Sequence, residues 1–388
     1  MTTPNQLLGG LDPADFLRDY WQQKPRLIRQ ALPDFDNPLS GDELAGLALE
    51  DDIESRLILE HGHTPWELRR GPFSESDFQQ LPARDWTLLV QAVDQFIPEV
   101  RELLHLFRFL PSWRLDDIMI SFAAPGGSVG PHYDNYDVFL LQVQGHRHWK
   151  IGQQCSADSP LLPHDDLRIL RDFEQQEEHL LAPGDMLYLP PGVAHYGIAE
   201  DDCITWSIGF RAPSYQDILL HFTDYLAQQL HDDQRYHDSG ITPSEQPAAI
   251  DDASIERLQQ ILLTHVQNKE ALATWFGRFM TEPRYPEMLN AEEIADNELQ
   301  DAVQTGYGLQ RNAGARLAYR LSDTEIKLFA SGEHCVLPAS LLPLVQLVCN
   351  EDYLSAEALL PWLTDTEGWQ LLVQLVSKGD LLLEEDDD

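Results

Sequence analysis

His132 and Asp134 stand one residue apart in the segment GPHYDNYDV. On an extended chain alternate side chains share a face, so an imidazole and a carboxylate converge there as two legs of a metal site. A third ligand is needed, and YLPPGVAHYG supplies His195 near the start of another expected strand. Two histidines and one carboxylate on one face of an octahedron leave three positions open. That is the ligand set of a non-haem Fe(II) centre, where substrate and dioxygen must both reach the metal. A closed zinc site would want a fourth protein ligand, and no cysteine is placed to give one.

An HxD pair alone recurs by chance in loops and at strand edges. Here it sits between glycines and a strand, and the second histidine follows the turn GDMLYLPPG. A basic residue, Arg147, follows in QVQGHRHWKIG. An arginine facing into a barrel is costly without an anionic partner, and a cosubstrate carboxylate held by the guanidinium fork would be a natural one. Most of the 14 histidines are ordinary: His146 and His148 face away from the core, and His164, His179, His231 and His237 fall in polar stretches.

The elements that must position these groups lie between Leu115 and Arg211. DIMISFAA, YDVFLLQVQG, HRHWKIG, DMLYLPPG, AHYGIA and CITWSIGFR are short runs rich in β-branched and aromatic residues, punctuated by glycine and proline. They predict an all-β sandwich or barrel over about 115–211, with the polar stretch from Cys155 to His179 as an insertion. The preceding hundred residues read as mixed and mostly helical. Asp12 and Ser40 are helix caps, and Leu88, Leu89, Ala92, Val93 and Phe96 have helical period up to Pro98. After 213 the period is helical again, with a stripe of Ile218, Leu219, Phe222, Leu226 and Leu230 and a second tract over 254–280. These apolar stripes predict a helical dimerisation region over 214–285. A small third domain over 290–384 orders a helix at 291–303, three strands and two helices as a winged helix does, and 385–388 read as a disordered acidic tail.

With 388 residues the chain is long enough for two or three domains, and 43% hydrophobic residues exclude a chain disordered throughout. Its 26 basic residues face 65 acidic ones, a formal charge of −39. Such a field repels phosphate and argues against direct nucleic-acid binding, while it attracts basic proteins. No apolar run is long enough to span a bilayer, and the first residues lack the order of a signal peptide. Four scattered cysteines read as reduced thiols, so a cytoplasmic location is expected.

The span from about 115 to 213 resembles the JmjC-type, cupin-fold 2-oxoglutarate oxygenases. It is closer still to the bacterial ribosomal protein arginine hydroxylases, which act on the sixteenth protein of the large ribosomal subunit. The stretches that carry the likeness are DDIMISFAAPGGSVGPHYDNYDVFLLQ, GHRHWKIG, PGDMLYLPPGVAHYG and SIGFRAP, with DWTLLVQAV and GDELAGLALE upstream. The resemblance implies an α+β chain: a double-stranded β-helix core with N-terminal helices inside a catalytic domain over 1–213, then the helical and winged-helix-like regions. It implies Fe(II) on His132, Asp134 and His195, 2-oxoglutarate anchored by Arg147, and dioxygen as the second cosubstrate. It further implies an arginine pocket of Asp117, Met119, Tyr136 and Ser207, and 3-hydroxylation of that arginine with release of succinate and CO2; a homodimer is expected from the apolar stripes over 214–285. The alternatives are hydroxylation of another residue such as histidine, a cupin isomerase, and a cupin-like binding protein without turnover. Asp117 favours arginine over histidine, because a guanidinium rewards a carboxylate more than a neutral imidazole does.

Overall fold

The β-structure begins well before Leu115. The computed structural model describes residues 2–33, 35–61, 64–290 and 294–385, and the chain divides into two compact units, Met1–Ala212 and Pro213–Asp388. The strands of the first are β1 (Arg26–Ile28), β2 (Ser55–His61), β3 (Thr64–Arg70), β4 (Trp86–Val90), β5 (Leu115–Ala123), β6 (Val138–Gln144), β7 (Arg147–Gln154), β8 (Glu177–Leu181), β9 (Met186–Leu189), β10 (Val193–Ala199) and β11 (Cys203–Phe210). Eight of them form one sheet in the order β1-β9-β6-β11-β5-β4-β2-β3, and β10-β7-β8 form a second. Four strands thus come from the region expected to be mostly helical. The segment WTLLV misleads because it is buried on both sides: Leu88 and Val90 join one core while Leu89 joins another. Such a run shows no alternation and, with Ala92, Val93 and Phe96 after it, imitates a helical stripe. Pro98 does not break a helix but opens a short one, Pro98–Arg101.

Alternation along the strands decides what the barrel interior contains. On β5, Ile118 and Ile120 pack outward against the N-terminal helical layer with Phe16 and Leu44, as Ile204, Trp206 and Ile208 do from β11. Asp117, Met119 and Ser121 on β5, and Thr205 and Ser207 on β11, therefore face the opposite way, toward the second sheet. A cluster of Val138, Leu140, Leu187 and Leu189 from the large sheet with Trp149, Ile151, Leu181 and Val193 from the small one closes the interior. The helices behind the large sheet start where the caps place them. Asp12 accepts from the Ala14 N–H at 2.8 Å, and Ser40 and Glu43 form a capping box.

One buried carboxylate ties this layer to the barrel. Asp137, fully buried, accepts from Tyr188 Oη at 2.7 Å, Gln22 Nε2 at 3.0 Å and Arg114 Nη2 at 3.1 Å. Asp137→Ala strands the half of this cluster that carries the positive charge, and is expected to destabilise the fold by about 3–5 kcal/mol. Denaturant unfolding followed by tryptophan fluorescence reads the loss, and an unchanged midpoint would mean that water takes over the three donors.

In the second unit the helices Tyr215–Ala227, Asp252–Val266 and Lys269–Thr281 precede the helix Asp296–Gln304. The tract expected over 254–280 is thus two helices, because Asn268 caps the second through Glu270 and Ala271 N–H groups. Strands β12 (Tyr307–Arg311), β13 (Leu317–Leu321), β14 (Glu325–Ala330), β15 (Glu333–Pro338), β16 (Tyr353–Leu354) and β17 (Leu381–Glu385) form the sheets β16-β12-β17 and β13-β14-β15. The helices Leu342–Asn350 and Thr366–Ser377 cover them. The three strands expected here are β13–β15, while β12, β16, β17 and the helix at 366 have no counterpart among the expected elements. The expected acidic tail is a strand as far as Glu385, and 386–388, like 291–293 of the expected helix, lie outside the described residues. Cys155, Cys203 and Cys349 are buried and Cys335 half-buried, all as free thiols.

Candidate metal centre and adjoining pocket

His132, Asp134 and His195 each direct a ligand atom to a common point, all within 4.8 Å of one another. The backbone builds this convergence. His132 N–H donates to His195 O at 3.0 Å and His195 N–H to His132 O at 2.8 Å, an antiparallel bridge that lays the HxD segment beside the start of β10. Asp134 is held by its own carbonyl, which accepts from Gly192 N–H at 2.7 Å. Gly130, at φ +81°, makes the turn before the histidine, a conformation that disfavours side chains. Its carbonyl accepts from His132 Nδ1 at 2.9 Å, and Val193 O accepts from His195 Nδ1 at 3.0 Å. A carbonyl can only accept, so both rings carry their proton on Nδ1 and present the Nε2 lone pair. Burial, and then the neighbouring His132, push His195 down to about pKa 4, so it is neutral near pH 7.

Arg147 lies on the inner face of β7, only 2% exposed. Its Nη1 donates to Ser121 Oγ at 3.3 Å, and its guanidinium lies 5.1 Å from the centre of the Trp149 ring. Arg147 Nε and Trp149 Nε1 have no partner among the described residues. Among the described residues no carboxylate is paired with Arg147, and burial draws its pKa below the ordinary guanidinium value. A buried cation in this state fits an anion that arrives from outside. Gly197 on β10 makes the room, since a Cβ there would stand 2.8 Å from both Arg147 Nε and the Trp149 ring. The neighbours on the strand face outward as expected: His146 pairs with Asp201 at 2.8 Å, and His148 lies between Glu178 at 3.4 Å and Glu200 at 3.1 Å.

Three of the four residues expected to hold an arginine, Asp117, Met119 and Ser207, fall on the same interior, and Tyr136 stands beside Asp134. Asp117, Met119 and Ser207 are neighbours across β5 and β11, with Ser207 directly opposite Met119. Asp117 is 4% exposed, and its Oδ2 accepts from Gln91 Nε2 at 2.6 Å and from Ala92 N–H at 3.1 Å. Tyr136 exposes 42% of its surface. Its hydroxyl is turned to Asp134, whose charge, followed by burial of the hydroxyl, raises its pKa, and Asp117 adds to the shift. Asp116 faces away and is half-buried in an ion pair with Arg211 at 3.3 Å. Ser121 is not among the expected site residues, although its place two residues beyond Met119 puts it on the same face. Gln91 is not among them either, because it lies in a segment whose period predicts a helix.

A JmjC domain model matches residues 102–218, which include all three converging ligands and Arg147. A ROXA-like winged helix model matches 262–381, and an AraC-like ligand binding domain model matches 173–270. The chain is 35% identical over 367 residues to the ribosomal protein uL16 3-hydroxylase of Escherichia coli, covering 94% of this chain and 96% of that protein. It is 36% identical over 333 residues to the probable ribosomal oxygenase of Haemophilus influenzae, covering 83% and 82%. The structure of the Escherichia coli ribosomal oxygenase YcfD in complex with cobalt and 2-oxoglutarate matches with a TM-score of 0.83 at 34% identity, covering 96% of this chain and 98% of that one. Among the described residues no helix is long and apolar enough to cross a membrane. Identity at this level over nearly the whole length, with a JmjC core and a winged helix in the same order, makes the chain a member of the JmjC-domain ribosomal oxygenases.

Proposed function

We propose that the chain is an Fe(II)- and 2-oxoglutarate-dependent dioxygenase that adds a 3-hydroxyl to an arginine of the large-subunit ribosomal protein uL16. The observation that supports it most is the meeting, inside one barrel, of the His132, Asp134 and His195 cluster with a buried guanidinium that no carboxylate among the described residues pairs with. His132 and His195 would hold iron through Nε2, and Asp134 through a carboxylate oxygen. Arg147, with the Ser121 hydroxyl beside it, would receive the distal carboxylate of 2-oxoglutarate. When bound, metal and cosubstrate supply the oxidation, in which dioxygen is consumed, 2-oxoglutarate leaves as succinate and CO2, and one oxygen atom enters a C–H bond. The chain's own residues do the placing. Asp117 pairs with the substrate guanidinium, the Tyr136 ring stacks on its plane, and Met119 and Ser207 line the slot, so that the arginine Cβ faces the metal.

The charge of −39 draws a basic ribosomal protein to this mouth and keeps nucleic acid away, which accords with work on protein in the cytoplasm. The test is incubation of the purified chain with uL16, Fe(II), ascorbate and 2-oxoglutarate. One added oxygen on an arginine, lost on chelation, is the expected result. The same mass on a histidine would transfer the assignment to that residue type, and neither succinate nor added oxygen would leave a non-catalytic cupin.

The helical region 214–285 pairs two copies in this reading. Phe222 and Leu226 bury against Trp275 within the chain, which leaves Leu219, Leu220, Ile255, Leu258, Ile261 and Leu262 exposed. A soluble monomer rarely leaves such a patch uncovered. Light scattering should give twice the 44.2 kDa chain mass, falling to one chain when Leu258 and Leu262 are both replaced by glutamate; a monomeric parent protein would end the proposal.

A further inference from the structure

The Asp117 carboxylate is held from outside its own strand. Gln91 Nε2 and Ala92 N–H both grip Oδ2, at 2.6 and 3.1 Å, from the end of β4. Ala92 does so at φ +53°, in the left-handed region where a Cβ is unfavourable, so the surrounding structure sustains a strained turn that aims this N–H at the carboxylate. Gln91 is oriented in turn. Arg56 Nη2 donates to Gln91 Oε1 at 2.8 Å. A guanidinium has only donors, so it claims the amide oxygen and leaves the NH2 group for Asp117. The same Arg56 Nη2 lies 4.0 Å from Met119 Sδ, at the wall of the slot. Arg56, Gln91 and Asp117 thus form one chain of charge-assisted bonds across β2, β4 and β5.

We propose that Gln91, anchored by Arg56, is a positioning residue that fixes the rotation of the Asp117 carboxylate for recognition of the substrate guanidinium. A guanidinium fork binds a carboxylate in one plane, and a carboxylate free to rotate would lose freedom each time substrate enters. The bonds from Gln91 and Ala92 set that rotation beforehand. The inference rests on the arginine-hydroxylase reading of the same pocket.

The test is steady-state succinate release by the full chain with purified uL16, varied separately against 2-oxoglutarate, for Gln91→Met, Arg56→Met and Asp117→Asn. Gln91→Met keeps the volume but has no N–H for Asp117. Loss of an orienting bond to a charged group corresponds to a rise of about tenfold or more in KM for uL16, with kcat at saturating uL16 and the KM for 2-oxoglutarate far less affected. Arg56→Met should move the same constant in the same direction by a smaller factor, because the amide stays but is free to turn over. Its side chain is a third exposed, so its fold is not at stake if Gln91→Met proves unstable. An unchanged KM for uL16 in both variants overturns the inference, as does a fall in kcat with a lowered unfolding midpoint and no separate effect on uL16, since that marks a purely structural bond. If Asp117→Asn also leaves that KM unmoved, the arginine pocket itself falls; if only Asp117→Asn moves it, the pocket stands and the Gln91 role does not.

Discussion

Asp134→Ala is expected to abolish succinate release while the protein remains folded. The side chain is about a fifth exposed, its partners are the His195 ring at 3.6 Å and the Tyr136 hydroxyl, and its backbone contact with Gly192 survives the substitution. What the variant removes is the single anionic ligand of the cluster. A metal that acts at the reacting atoms supplies several kcal/mol, and each 1.36 kcal/mol is a factor of ten, so turnover should fall by about three orders of magnitude or more. Protonation of His195 does not explain such a loss. The Asp134 charge raises the His195 pKa, so its removal leaves that imidazole even more firmly neutral. A binding measurement separates the metal from the reaction: Mn(II) at a hundredfold excess over its Kd should stabilise the parent protein by about 2.7 kcal/mol and the variant hardly at all. An equal thermal shift in both would show that the metal is held elsewhere.

The ligand cluster was legible because it depends on local rules. The HxD spacing on extended chain, the turn before His195 and the inward position of Arg147 need only strand alternation. Ser121 obeys that rule as well, yet a serine in a strand carries no chemical signal until Arg147 is seen to donate to it. Gln91 and Ala92 were out of reach for another reason. WTLLV packs on both faces, its period imitates a helix, and its place between β5 and β2 is fixed by pairing across long sequence separations. The left-handed turn at Ala92 has no glycine to announce it. In the second unit β12 and β17 lie more than sixty residues apart in sequence, so neither strand is suggested by its own neighbourhood. Helix caps at Asp12 and Ser40 are legible because side chain and backbone meet within three residues.

Arg147→Met should act in opposite directions on stability and on cosubstrate binding. In the parent protein the guanidinium is buried at 2% exposure, with one long bond to Ser121 and the face of Trp149 for company. An apolar side chain of similar length relieves the cost of burying that charge, so the variant without ligand should unfold about 1–3 kcal/mol later than the parent. Methionine also keeps the Trp149 ring and Gly197 in contact with side-chain atoms, which limits any cavity. For 2-oxoglutarate the balance reverses. Truncating one partner of a buried charged pair costs about 2–5 kcal/mol, and 1.4 kcal/mol is a factor of ten, so the KM should rise by about two orders of magnitude or more. The protection that 2-oxoglutarate gives against unfolding should vanish with it. A purely structural arginine would give the contrary pair of results: a variant less stable without ligand, and a KM for 2-oxoglutarate that stays where it was. The sign of the stability change therefore tells whether this charge was buried for the fold or for an anion, and denaturant titration with and without 2-oxoglutarate reads both signs on one protein.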